Sequence, residues 1–245
     1  HTFHNLCTGI INNYPEYFYD GAIVHPADDV TKINILETII KDLPHDSKIK
    51  SYHPEQGFLF LGSIQNTISN LKRAGITSDD LEVILNENDK DIIILNEKLS
   101  PILSKTITQA TFDEFSDAIE KLYKERGNRY VLNYLSLVDA LYINFKANVK
   151  EKKDFSDWKS KNTEKNTKSE NIFKDTRRAD TLREINGVYK KYQAELYKQG
   201  YQDFDDMILD VLTVLKKNES LRLKIQEQYQ YILVDEFQDT NDAQM

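Results

Sequence analysis

Tyr231-Ile232-Leu233-Val234-Asp235-Glu236-Phe237-Gln238-Asp239-Thr240-Asn241 is the stretch on which a reading of the fold turns. Its first four residues form an unbroken apolar run, which predicts a short parallel strand buried on both faces. That strand would end directly in paired carboxylates, at the sheet edge where open α/β folds place their ligands. Mg²⁺ takes hard oxygen ligands and keeps several waters, so Asp235 on a strand end can hold it beside a nucleotide. Glu236 points differently at such an end and can orient and deprotonate an attacking water. A bare Asp-Glu pair would be solvated surface. Its position between an apolar run and Phe237-Gln238-Asp239-Thr240 makes it informative.

Outward from this strand the sequence reads as helix. Upstream, Phe204, Met207, Ile208, Val211 and Leu215 share one helical face, with Asp203 or Asp205 as cap. Leu182, Ile185, Tyr189, Tyr192 and Leu196 form a long stripe ended by Gly200. From Asp28 or Asp29 the residues Val30, Ile33, Leu36, Ile40 and Leu43 recur at helical spacing, with Pro44 as the stop. Leu61, Ile64, Ile68 and Leu71 mark a helix closed by Gly75, and Thr77-Ser78-Asp79-Asp80 opens the next through Leu81, Ile84 and Leu85. Thr111-Phe112-Asp113-Glu114 repeats that signature before Phe115, Ile119 and Leu122. A further helix is expected from a cap at Asn128 to near Ala147. The fold class is therefore mainly α, and one buried strand cannot make a sheet alone, so partner strands are expected from outside these residues.

The 245 residues suffice for one large domain or two small ones. No run of about 18 apolar residues suggests a membrane span, and the lone Cys7 excludes an internal disulfide and fits a reducing cytoplasm. None of the eight glycines lies in a Gly-x-x-x-x-Gly-Lys-Ser/Thr phosphate loop, and the five histidines show no zinc spacing with Cys7. The net charge of −8 argues against a uniformly basic nucleic-acid binder, but the charge is uneven. Lys146 to Arg178 holds eleven basic and six acidic residues, a local +5 against −13 for the remainder. Two readings stay open for this stretch: a solvated, flexible linker, or a phosphate-binding surface using Lys150, Lys152, Lys153 and Lys159, with Trp158 stacking on a base.

The Asp235–Asn241 string, with Gln244 three residues on, resembles the Walker B motif of UvrD/Rep/PcrA-type superfamily 1A DNA helicases. Two further passages follow the same family in order. Thr2-Phe3-His4 is similar to its motif for single-stranded DNA, and Gln202-Asp203-Phe204-Asp205-Asp206-Met207 to the Asp-Phe-Asp-Asp element that precedes its Walker B motif. The resemblance implies a P-loop NTPase: an incomplete RecA-like domain 1A (residues 1–20 and 201–245) carrying a helical 1B subdomain (21–200). Residues from about 86 to 180 would be an additional insertion. It also implies Mg²⁺ held by Asp235 through water, Glu236 as catalytic base, and Gln238 and Asp239 linking the nucleotide site to neighbouring motifs. Thr2, Phe3 and His4 would meet DNA. The implied parent couples ATP hydrolysis to 3′-to-5′ unwinding in the cytoplasm, while this chain alone would be inactive. A helicase–nuclease subunit like RecB or AddA, and a non-enzymatic helical interaction module, stand as alternatives.

Overall fold

The computed structural model describes residues 2–18, 24–126, 130–132, 134–174 and 176–244, and for residues 130, 176–178 and 239 the backbone alone. In chain order the elements are α1 (Phe3–Asn13), β1 (His25–Pro26), α2 (Asp29–Lys41), β2 (Tyr52–His53), β3 (Gly57–Phe58), α3 (Leu61–Arg73), α4 (Ser78–Leu103) and α5 (Gln109–Arg126). They continue with β4 (Tyr130–Val131), β5 (Tyr134–Leu135), α6 (Leu137–Asn148), α7 (Lys152–Asn162), β6 (Thr163–Lys165) and β7 (Asn171–Phe173). The last are α8 (Thr176–Lys198), β8 (Tyr201–Gln202), α9 (Phe204–Lys217) and α10 (Glu219–Gln228). The chain is mostly helical, and its described strands form four isolated pairs. It divides into two compact units, His1–Ser78 with Glu184–Met245, and Asp79–Arg183.

The first unit holds two cores. One gathers Cys7, Ile10, Phe18, Met207, Ile208, Val211, Leu221 and Ala243, with α9 packed against both α1 and α10. The other joins Ile35, Leu36, Ile39 and Ile40 of α2 and Ile64 and Ile68 of α3 to Ile185, Val188, Tyr189, Tyr192 and Leu196 of α8. Where the chain enters and leaves that second core, β1 pairs parallel with β8, His25 opposite Tyr201 and Pro26 opposite Gln202. Gly75 and Gly200 follow α3 and α8 with φ of +72° and +74°, a left-handed turn that costs glycine nothing sterically.

The second unit closes around aromatic rings. Phe115 lies 5.2 Å from Phe145, 4.9 Å from Phe155 and 5.5 Å from Trp158, ring centre to ring centre. Leu95, Leu99, Ile119, Val138 and Phe173 complete the cluster.

Several expectations are corrected. Tyr231–Val234 is not a strand: it has no regular structure, with Tyr231 90% and Leu233 97% exposed. A strand must give its amides and carbonyls to a neighbour, and no described strand lies beside it. In α2 the buried face is Ile35, Leu36, Ile39 and Ile40, while Val30 and Ile33 are exposed. The Thr77–Asp80 start is right, but α4 runs on to Leu103, through Pro101. The cap of α5 lies three residues before Thr111: the Thr108 hydroxyl accepts from the Thr111 amide at 3.1 Å. Asn128 lies outside the described residues, and α6 starts after Ser136, whose hydroxyl accepts from the Asp139 amide. Lys146 to Lys174 is no flexible linker, because it folds as α7 and the β6–β7 hairpin.

Candidate functional site

Thr2 caps α1, its hydroxyl accepting from the Asn5 amide at 3.2 Å, which fixes Phe3 and His4 in the first turn. His4 stacks on Phe204, ring centres 3.7 Å apart and planes 19° from parallel. Burial lowers the His4 pKa, with Asp205 pulling the other way, so the imidazole favours its neutral form. Its Nε2 is shielded from solvent and has no hydrogen-bond partner among the described residues.

Beside this turn lies a hollow of about 750 Å³, with Thr2, Phe3, His4, Leu233, Asp235 and Glu236 among the residues in its wall. The two acids stand in an irregular turn. Glu236 has φ +52°, a left-handed conformation uncommon for a side chain of its kind. Its amide donates to Asp235 Oδ1 at 3.0 Å, and the Gln238 side-chain amide donates to Glu236 Oε2. A single 3-10 turn over Phe237–Asp239 follows, closed by the Thr240 hydroxyl donating to the Phe237 carbonyl. The side chain of Asp239 lies outside the described residues. Asn241 and Gln244 cap each other's amides through their side chains. Between them Ala243 is buried and donates its amide to the Arg73 carbonyl at 2.9 Å.

The Asp203–Asp206 element binds the end of α3. Asp203 occupies the cap position of α9, yet its side chain makes no capping hydrogen bond. It turns instead to Lys72 (3.1 Å), Lys32 (3.5 Å) and the Tyr192 hydroxyl (3.3 Å). Asp206 meets Lys72 at 2.8 Å, both side chains fully buried. Asp205 takes hydrogen bonds from the Ser69 hydroxyl and, at 3.5 Å, from Arg73. Burial opposes the charge on Asp203, but Lys72 and Lys32 hold its carboxyl below the ordinary value. Burial pushes Asp206 up to about 6 against the pull of Lys72. Lys72 went unnoticed in the sequence. The signal was there: it continues the Ile64, Ile68 stripe at a spacing of four, so the apolar face of α3 ends in a buried cation.

In the second unit the cations of α7 face water, and the aromatics do not. Trp158 is 4% exposed and donates its indole N–H to Asn144 Oδ1 at 2.8 Å, so it covers the core rather than offering a face to a base. Phe155 and Phe173 are buried with it. Lys150 donates to the Lys146 carbonyl, and Lys153 pairs with Glu151 at 3.0 Å. Lys152, Lys159, Lys161, Lys165 and Lys168 make no ion pair among the described residues. Burial lowers the Lys159 pKa, and the like charge of Lys165 adds to the effect.

Comparison with known proteins agrees with the motifs. A family model described as "UvrD/REP helicase N-terminal domain" matches residues 1–245. "ATP-dependent DNA helicase Rep" of Buchnera aphidicola is 44% identical over 57 residues, which are 23% of this chain and 9% of that protein. "ATP-dependent DNA helicase PcrA" of Leuconostoc citreum is 44% identical over 57 residues, 23% of this chain and 8% of that protein. "ATP-dependent DNA helicase Rep" of Escherichia coli K12 is 45% identical over 56 residues, 23% and 8% respectively. The matched stretch is thus under a tenth of each relative's length.

Proposed function

The chain belongs to the UvrD/REP helicase family, and on that premise we propose that it is part of an ATP-dependent DNA helicase or translocase of 3′-to-5′ polarity. Residues 1–20 and 201–245 would then be pieces of a RecA-like domain, and 21–200 a helical subdomain. The second unit, Asp79–Arg183, would be the insertion in that subdomain. The observation that supports this reading best is the shared hollow, whose wall holds both Thr2-Phe3-His4 and Asp235-Glu236. A group that senses a DNA strand and a group that acts on a nucleotide thus stand within one cavity.

Glu236 is the base that orients the attacking water and takes its proton, with the Gln238 amide fixing its carboxylate. The carboxylate oxygens of Asp235 suit Mg²⁺, a hard cation. Mg²⁺ keeps several waters, so phosphate oxygens and water would complete its shell. When bound, the ion neutralises charge on the phosphates. Thr2, Phe3 and His4 contact single-stranded DNA from the wall of that hollow. The second unit adds a duplex-binding surface of lysines, the exposed Lys152 and the half-buried Lys159 with Lys150 and Lys153 at its margin.

Glu236→Gln in the full-length protein tests the assignment. ATP binding should persist while turnover falls about 10²-fold or more, as for loss of a general base. Turnover near wild type would remove Glu236 from that role. The 245 residues alone should not hydrolyse ATP, because they contain no phosphate loop. Activity from the purified chain would overturn that requirement.

A further inference from the structure

We propose that Lys72 is a positioning residue: by gripping Asp203 and Asp206 it sets the Phe204–His4 stack and, through the neighbouring Arg73 carbonyl, the segment that follows Glu236. The inference rests on the helicase reading above for its functional consequence, though its geometric part stands without it.

The last turn of α3 holds the first turn of α9 at three points. Lys72 pairs with Asp203 and Asp206, Ser69 donates to Asp205, and Arg73 pairs with Asp205. Phe204 is the member of this element left over, and it is half exposed with its ring against His4. One residue after Lys72, the Arg73 carbonyl receives the Ala243 amide, and Ala243 is buried seven residues beyond Glu236. The end of α3 therefore registers three things at once: the turn carrying Thr2-Phe3-His4, the start of α9, and the chain leaving the acidic pair.

Stability is a poor explanation for a cation in this position. Lys72 is wholly buried, with Tyr189 and Tyr192 rings 5.7 and 5.2 Å from its ammonium. Desolvation of such a group of charges roughly cancels their attraction, and replacing all of its members together by apolar residues of similar volume is often neutral or better. What an apolar residue cannot supply is direction. The ammonium meets Asp203 Oδ2 and Asp206 Oδ1 one helical turn apart, which fixes both the rotation and the height of α9 against α3.

Lys72→Met and Lys72→Arg in the full-length protein provide the test, read as ATPase with and without single-stranded DNA. Lys72→Met leaves the Asp203 and Asp206 carboxylates without their cation, so its unfolding midpoint should fall, and the assays are run where the variant is still folded. Its DNA-stimulated kcat should drop by between about 5- and 150-fold, the usual size of coupling between sites, while KM for ATP changes little. Lys72→Arg, which keeps the charge, should recover part of the stimulation. In the 245-residue chain, the NMR ring-current shift that Phe204 gives the His4 ring protons should shrink in Lys72→Met. If Lys72→Met does not fold, Asp203→Asn leaves the Lys72–Asp206 pair standing and should show the same partial loss. Full DNA stimulation in folded Lys72→Met, or unchanged His4 shifts, would overturn the inference. A wild-type protein without any DNA stimulation would instead refute the helicase reading, and the His4 shifts would still decide the positioning.

Discussion

The two units are stabilised in different ways. In the first, the Asp203–Asp206 element is built around buried charge: Lys72, Asp203 and Asp206 sit among Tyr189 and Tyr192. In the second, rings of Phe115, Phe145, Phe155 and Trp158 fill the centre, and most of the charge, Asp91 and Asp139 apart, is on the outside. Its Asp91 is buried too, but the partner Arg126 reaches solvent. Directional bonds fix orientation at modest net gain in stability, whereas apolar packing stabilises strongly and specifies orientation less. The first unit has apolar cores as well, and at the end of α3 it adds contacts of the directional kind.

Removing a ring should expose that difference most. Phe115→Ala takes out the residue that touches three other aromatics, and a cavity of that kind costs about 3–5 kcal/mol. Hydrogen exchange should show protection lost over 79–183 and kept over α1, α3 and α9. Equal loss in both units would mean that they share one cooperative fold and would end the distinction.

The motifs of the first unit were legible because each is a local string. Thr2-Phe3-His4, Asp203–Asp206 and Asp235–Asn241 announce themselves without any knowledge of packing. What the strings concealed was their partners. Asp203 stands at the cap position it suggested, but the buried lysine 131 residues earlier to which its carboxylate turns is announced by no local string. The apolar run Tyr231–Val234 looked like a strand, but pairing is a property of neighbours, and none of the described strands provides it. In the second unit, Phe155, Trp158 and Phe173 lay in a lysine- and asparagine-rich stretch whose composition suggested surface or linker. Composition reports an average. Burial follows the face, and at α7 positions 155 and 158 are one turn apart on the inner face, with Lys152, Lys159 and Lys161 elsewhere.

The charged exterior of the second unit gives the next test. Changing Lys152, Lys159, Lys161 and Lys165 to Glu should weaken duplex DNA binding for all sequences alike, by about tenfold or more at low salt. Each lost phosphate contact should flatten the log–log salt dependence by ~0.9. Fluorescence anisotropy at two salt concentrations measures both. Equal affinity for variant and wild type would restrict DNA contact to the first unit. Trp158→Ala, by contrast, should lower stability and leave no defect specific to single strands, since its ring is in the core.

The buried charge should show itself through pH. Burial moves Asp206 from 3.8 up to about 6. Between those values the folded chain binds a proton that the unfolded chain does not. Its stability must therefore fall as pH rises through this window, by at most about 1.4 kcal/mol per pH unit. Outside the window Asp206 adds no slope. Asp206→Asn should flatten urea midpoints measured between pH 4 and 6, and an unchanged slope would place the titration elsewhere.

The smallest effects separate the units most cleanly, because two substitutions of equal cost act on different ones. Gly75 follows α3 at φ +72°, where a Cβ costs about 1 kcal/mol in backbone strain. Built there, that Cβ would lie 3.8 Å from the Ala243 Cα, an ordinary contact, so Gly75→Ala should carry the strain and no clash. Ser136 caps α6, and losing its bond to the Asp139 amide also costs about 1 kcal/mol. In urea the two variants should be nearly indistinguishable by midpoint if the chain unfolds in one step. Exchange protection should tell them apart: Gly75→Ala loosens the end of α3 and the segment around Ala243, and Ser136→Ala loosens α6 alone. The stronger consequence is functional. The strained turn lies two residues from the Arg73 carbonyl that holds the chain beyond Glu236, so Gly75→Ala should also diminish DNA-stimulated ATPase in the full-length protein. Ser136→Ala, at the same cost, should leave it unchanged. If both variants impair ATPase equally, global stability rather than the end of α3 governs turnover, and the division of labour between the units fails.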